Sequence, residues 1–390
     1  MPGAANRLKE VEPSGIRRLS VQGKSIPDAI NLSIGEPDFC PPSHVLEAAK
    51  QAIDGGKTRY VPTAGIPDLL EALAEKAKKD YGLSYDPNTE ILVTVGATQA
   101  IFLAMQALIN PGDEVIIPDP CFVCYGPSVR IAGGTPASAQ LLQKDGFIID
   151  EDTILSHVTE KTRMILTNSP NNPTGSVLSH ANLSNLAKII SEHNLITVSD
   201  EVYEKIIYDD AKHCSLASFP DMRERTIVVG SFSKTYAMTG FRVGYVYGPE
   251  RLIAPMKLAH YFNVGCVDEP AQHAALAALN GAQGFTKNMV AEFDRRRKLV
   301  YSRLKEIEGF TCSLPRGAFY MFPNIEGFQA TSEEFAEYLA KSAKVMTVPG
   351  SAFGKHGEGY LRISYATAYD QLEEALNRIE KSAKAFKKRT

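Results

Sequence analysis

The chain has 390 residues, enough for two or three domains at roughly 150 residues each. Hydrophobic residues make up 44% and charged residues 22%, which excludes a disordered, collagen-like or coiled-coil chain. Its 42 basic and 45 acidic side chains leave a formal net charge of -3, no electrostatic footprint for nucleic acid or an anionic membrane.

In chain order, Met1 to Leu19 mixes charge with Gly and Pro and has no apolar core, so it does not read as a signal peptide. Gly56-Lys57-Thr58 ends like a phosphate-binding Walker loop, but that motif requires a glycine where Gln51 stands. The uncharged stretch Ile91 to Ile109 approaches membrane length. Its Thr94, Gly96, Thr98, Gln99 and Gln106 fit better a strand over 91–95, a glycine turn and a buried helix from Thr98. A soluble, cytoplasmic protein with no nucleic-acid or membrane partner is expected. Six cysteines are too few for a disulfide scaffold. Cys121 and Cys124 form a lone C-x-x-C, read as small buried thiols rather than a redox or metal pair.

Strand-like runs occur at 91–95, 114–118, 163–167, 195–199, 226–230 and 243–247, with helical patterns at 98–109, 180–193 and 249–262. Several of these runs are apolar on both faces, which predicts a mainly parallel sheet covered by helices. Past residue 285 the pattern changes. A long charged helix carries Asp294-Arg295-Arg296-Arg297-Lys298, whose basic run reads as a solvated face. Short strands near 318–322, 345–348 and 360–364 and a last Glu/Lys-rich helix follow, as in a smaller α+β domain. The expected division is an N-terminal segment 1–35 packing on that small domain, a large cofactor-binding domain 36–284, and the small domain 285–390.

Chemistry-bearing residues gather at the predicted strand ends. Ser231-Phe232-Ser233-Lys234 follows the run 226–230. Ser-x-x-Lys also marks serine acyl-transfer enzymes, but these need Ser-Asp-Asn and Lys-Thr-Gly; here there is Ser199-Asp200-Glu201 and no Lys-Thr-Gly. Arg242 lies eight residues after Lys234. Asp200 ends a buried apolar run, with Tyr203 three residues on. Asn168-Ser169-Pro170-Asn171-Asn172-Pro173-Thr174-Gly175 also follows a strand, and Gly96-Ala97-Thr98 joins a strand to a helix. Open α/β sheets bind ligands at such carboxyl ends. A lysine amine forms a Schiff base with an aldehyde. A buried aspartate holds a pyridinium N–H. Arg242, the Ser231 and Ser233 hydroxyls and helix N-terminal amides suit a phosphate dianion. Together they describe a site for pyridoxal 5'-phosphate.

With these motifs in order from Gly35-Glu36-Pro37-Asp38-Phe39 to Tyr360-Leu361-Arg362-Ile363-Ser364, the chain resembles the fold type I pyridoxal-phosphate aminotransferases, class I, the subgroup of aspartate and aromatic enzymes. The resemblance implies an α/β fold whose large domain carries a mostly parallel seven-stranded sheet beside a smaller α+β domain. It implies Lys234 as the cofactor-linked lysine and proton carrier, Asp200 as partner of the pyridine nitrogen, and Tyr203 and Asn172 as donors to the cofactor 3'-oxygen. Phe122 would cover the ring. Gly96, Ala97, Thr98, Ser231, Ser233 and Arg242 would surround the phosphate, and Tyr60 would reach it from the partner subunit of a homodimer with shared sites. Arg362 would grip the substrate α-carboxylate, near Asn172 and Gly35. The implied activity is ping-pong transfer of an amino group from an aromatic amino acid or aspartate to a 2-oxo acid such as 2-oxoglutarate. The alternative is a lyase, catalysing β-elimination or cyclopropane formation, on the same cofactor. Aspartate-selective relatives often carry a basic group for the distal carboxylate, in some of them a Lys in the turn where this chain has Thr98, so the donor stays open.

Overall fold

The computed structural model describes residues 3, 5–9, 11 and 26–386. The N-terminal segment expected to pack on the small domain therefore lies partly outside the described residues. Twelve strands are formed among the described residues: β1 (Ile30–Asn31), β2 (Ile91–Thr94), β3 (Glu114–Asp119), β4 (Thr135–Gln140), β5 (Thr162–Asn168), β6 (Ile196–Asp200), β7 (Thr226–Ser231), β8 (Gly244–Tyr247), β9 (Tyr320–Met321), β10 (Val345–Met346), β11 (Val348–Pro349) and β12 (Leu361–Ser364).

Seven of them form the large sheet, in the order β2-β8-β7-β6-β5-β3-β4. Only β8 runs against the others, pairing antiparallel with β2 and β7. Strands β2, β6, β7 and β8 are buried at every position, because helices cover both faces; this is why they read as unbroken apolar runs. β4 was not among the expected strands. Its sequence, Thr-Pro-Ala-Ser-Ala-Gln, has one β-branched residue and no large apolar one, and it sits at the sheet edge, where pairing with β3 alone makes it a strand.

The helix after β2 spans Gly96–Leu108, two residues earlier than the sequence pattern suggests. The helix Pro67–Tyr81 starts with Pro in its first turn and ends at Gly82 in the left-handed conformation. Beyond β8, the 23-residue helix Gly284–Glu306 leads to a three-stranded sheet of order β11-β12-β9 and the closing helix Tyr369–Ala385. β1 pairs in parallel with β10, and Ile30 and Leu32 share a hydrophobic core with Phe293, Phe319, Phe335 and Leu376.

The basic run 295–298 is not a solvated face. Arg295 and Lys298 are exposed, but Arg296 is 5% exposed and Arg297 is fully buried. Arg296 pairs with Asp38 and Glu292; Arg297 donates to Asp209, Asp294 and the Pro315 carbonyl. Successive helical positions point about 100° apart, so a four-residue run cannot share one face. Removing both Asp209 and Asp294 would leave Arg297 an uncompensated buried charge, a loss of about 3–5 kcal/mol.

Candidate active site

The parallel strands deliver their carboxyl ends to one rim of the large sheet, and reversed β8 delivers its amino end there. A cleft of about 360 Å³ opens at this rim. Its walls include Gly35, Ala97, Thr98, Phe122, Asn172, Asp200, Tyr203, Ser231, Ser233, Lys234, Arg242 and Arg362. Gly96 lies just behind it: with φ +73°, a Cβ there would stand 2.5 Å from Arg242 Nη2, so glycine is what lets the guanidinium come this close. Tyr60 does not join them. It is 95% exposed and does not line the cleft of its own chain.

Lys234 Nζ donates to the Gly35 carbonyl at 2.5 Å. Burial, with Arg362 and Arg242 nearby, lowers its pKa to about 8. A poised amine of this kind is a competent nucleophile near neutral pH. Asp200 ends β6 and is 3% exposed. Its Oδ2 accepts from the Tyr125 hydroxyl at 2.6 Å and its Oδ1 from the Val202 N–H at 3.2 Å. Burial nevertheless raises its pKa to about 6, and among the described residues no cation forms an ion pair with it.

Arg362 is 2% exposed on β12. Nη1 donates to Asn172 Oδ1 at 3.0 Å and Nη2 to the Ser33 carbonyl at 2.6 Å. Tyr320 and Phe353 rings lie 4.5 and 4.8 Å from its Cζ. Its Nε is buried without a hydrogen-bond partner. Tyr203 and Tyr320 join their hydroxyls at 2.8 Å. Asn168 donates to the Asp200 carbonyl and accepts from the Asn172 N–H, binding two functional loops together.

Several lining residues escaped the sequence reading. Tyr125 carried a weak signal, one helical turn beyond Phe122. Tyr320 carried none, since a two-residue strand far along the chain brings it in. The C-x-x-C cysteines are free; burial pushes both thiols well up, which leaves them protonated and inert.

The residues present fit pyridoxal phosphate. A helix start with no side-chain cap meets an arginine and two buried serines, the arrangement for a phosphate. Ser231 Oγ caps Ser233 N–H and bonds the Val243 carbonyl at 3.3 Å, so its hydroxyl is already fixed in orientation. A buried acid without a cation suits a pyridinium N–H, and a half-buried amine suits an aldehyde.

Residues 27–379 match the family model "Aminotransferase class I and II". The chain belongs to this family. It is 49% identical over 379 residues to an aspartate aminotransferase of Pyrococcus abyssi, covering 97% of each chain. It is 46% identical over 385 residues to aromatic-amino-acid aminotransferase 2 of Thermococcus litoralis, covering 98% of this chain and 99% of the relative. A crystal structure of an aromatic aminotransferase from Pyrococcus horikoshii superposes with a TM-score of 0.90 at 48% identity, over 94% of this chain and 99% of that one. The aminotransferase thus depends on pyridoxal phosphate and moves an amino group between an amino acid and a 2-oxo acid. These relatives lend the lyase alternative no support. No described helix is long and apolar enough to cross a membrane.

Proposed function

We propose that this aminotransferase accepts phenylalanine or tyrosine at least as well as aspartate, passes the amino group to 2-oxoglutarate, and works as a homodimer with shared sites. The cations that line the cleft among the described residues carry the donor reading: they are Lys234, Arg242 and Arg362, each with a task at the reacting end. Among the described residues none is left for a distal carboxylate. Burying one unpaired costs a few kcal/mol, or ~10²-fold or more in relative rate. Tyr320 instead offers aromatic surface within the same cleft. The acceptor's own distal carboxylate is met by solvent or by the partner subunit.

When bound, pyridoxal phosphate supplies an aldehyde and an electron-withdrawing ring. Lys234 Nζ would hold the group through its aldehyde and would carry the proton that leaves substrate Cα. Asp200 keeps the ring nitrogen protonated, with Tyr125 holding its Oδ2 in place. Tyr203 and Asn172 donate to the 3'-oxygen, and Phe122 covers the ring face. Ala97, Thr98, Ser231, Ser233 and Arg242 take the phosphate, with Gly96 giving them room. Arg362 offers its unpartnered Nε and remaining Nη hydrogens to the α-carboxylate, beside the Gly35 backbone. Reversal with a 2-oxo acid on the same residues gives ping-pong kinetics.

The dimer reading is supported by Tyr60, 95% exposed, and by Leu258, Tyr261 and Phe262 on the helix Glu250–Val264, exposed by 61%, 58% and 79%. An apolar patch of this kind suits a second copy of the chain. The division at residues 36 and 284 is supported by a core built mainly from β1 and the segments beyond Gly284, to which Val202, Tyr203, Ile206 and Tyr208 also contribute. Steady-state kcat/KM for phenylalanine, tyrosine and aspartate, with 2-oxoglutarate saturating, tests the donor reading. Strong aspartate selectivity would refute it.

A further inference from the structure

Asp119 ends β3, is 3% exposed and does not line the cofactor cleft. Its carboxylate faces the turn 350–357 that follows β11. Oδ1 accepts the His356 N–H at 3.4 Å. Gly354 sits against the same carboxylate with φ +126°, and a Cβ there would collide with both carboxylate oxygens. Two residues beyond Asp119, the Cys121 N–H donates to the Phe353 carbonyl at 2.9 Å. The end of β3 thus grips both sides of the Phe353–Gly354 step. The Phe353 ring, 1% exposed, lies on the Arg362 guanidinium at 4.8 Å, and Tyr320 lies 4.5 Å from the same Cζ. Desolvation raises the Asp119 pKa to about 6, while the 355 and 356 amides, Lys355 and Ser138 oppose that rise. The turn therefore supplies most of what this buried acid accepts. Releasing the turn would strand the acid.

We propose that Asp119 is a positioning residue for substrate binding: its buried carboxylate seats the 350–357 turn against the end of β3 and so fixes Phe353 over the Arg362 guanidinium. A guanidinium packed against two rings keeps its plane, and its free hydrogens stay aimed at the incoming α-carboxylate. Loosening one ring makes the fork pay orientation entropy on binding, which acts on KM rather than on proton transfer at Cα. The proposal rests on Arg362 as the carboxylate fork.

The test is a double-mutant cycle on the holoenzyme with Asp119→Asn, Phe353→Leu and both together, with phenylalanine as donor. Asp119→Asn should raise KM roughly fivefold, within the usual coupling range of contacting residues, and leave kcat and cofactor absorbance unchanged. The double variant should be no worse than Phe353→Leu alone, since Asp119 acts through that ring. Unchanged KM in Asp119→Asn, multiplied effects in the double variant, or a parallel loss of kcat and cofactor would each overturn the proposal. If Asp119→Asn does not fold, Gly354→Ala, which pushes the turn off the carboxylate, must give the same KM rise and the same lack of addition. Arg362→Lys is run alongside. If it leaves KM unchanged, the fork reading fails and this proposal with it; if it raises KM while Asp119→Asn does not, only the present proposal fails.

Discussion

Arg362→Lys isolates what a planar fork contributes beyond charge. A guanidinium has five N–H groups. One Nη1 hydrogen goes to Asn172 Oδ1 and one Nη2 hydrogen to the Ser33 carbonyl. Nε, buried without a partner, and two Nη hydrogens remain, which is what a bidentate carboxylate needs. Lysine keeps the charge but offers a point donor on a flexible stem, and it must choose between the carboxylate and the two acceptors that Arg362 now serves. The loss is at least one charge-assisted hydrogen bond, about 1.5–3 kcal/mol. At 1.36 kcal/mol per factor of ten, kcat/KM for phenylalanine should fall roughly 10- to 10²-fold. The half-reaction is read by cofactor absorbance in a stopped-flow experiment. 2-Phenylethylamine, which has the ring and the amine but no carboxylate, is the control and should react at similar rates in both enzymes. A fall below threefold for phenylalanine, or an equal fall for 2-phenylethylamine, would show that Arg362 does not read the carboxylate.

Asp200→Asn should retain cofactor yet slow Cα proton loss roughly 10²-fold, the effect of about 3 kcal/mol of lost electrostatic stabilisation in a water-poor site; a single-turnover rate within threefold of the parent would count against the electron-sink role. Mixing Tyr60→Phe with Lys234→Ala subunits should yield hybrids with one wild-type site and one doubly defective site, so activity in the hybrid fraction should exceed that of either parent; a demonstrably monomeric sample with full activity would contradict shared sites. His260 is fully buried with neither ring nitrogen bonded, and desolvation lowers its pKa to about 4. The unfolded chain then takes a proton first on acidification, so this residue's share of stability is lost as pH falls from about 6.5 to 4 and changes no further below that, a total of about 3 kcal/mol. Urea midpoints of the parent and His260→Leu should diverge over that window; parallel curves would show that the ring is not held neutral.

The sequence by itself determined the layout of the large sheet's strand ends. β-branched runs announce buried strands, and in an open α/β sheet whatever follows their carboxyl ends faces one rim, so Asp200, Asn172 and Lys234 group there on sequence alone, while Arg242 reaches it because β8 runs backwards. Only the tertiary structure decided what local pattern does not encode. Arg362 meets Ser33 and Asn172 across 329 and 190 residues of chain. The C-terminal region brings Tyr320 and Phe353 to the guanidinium, and Asp119 meets a turn more than 200 residues away. Arg296 and Arg297 look like solvent-facing charge until Asp38, Asp209 and the Pro315 carbonyl arrive to satisfy them. β4 becomes a strand only because β3 offers it a free edge. Secondary-structure periodicity reflects forces between near neighbours in the chain. The partners of a buried charge are set by how separate elements pack, and that is settled only when desolvation must be repaid in three dimensions.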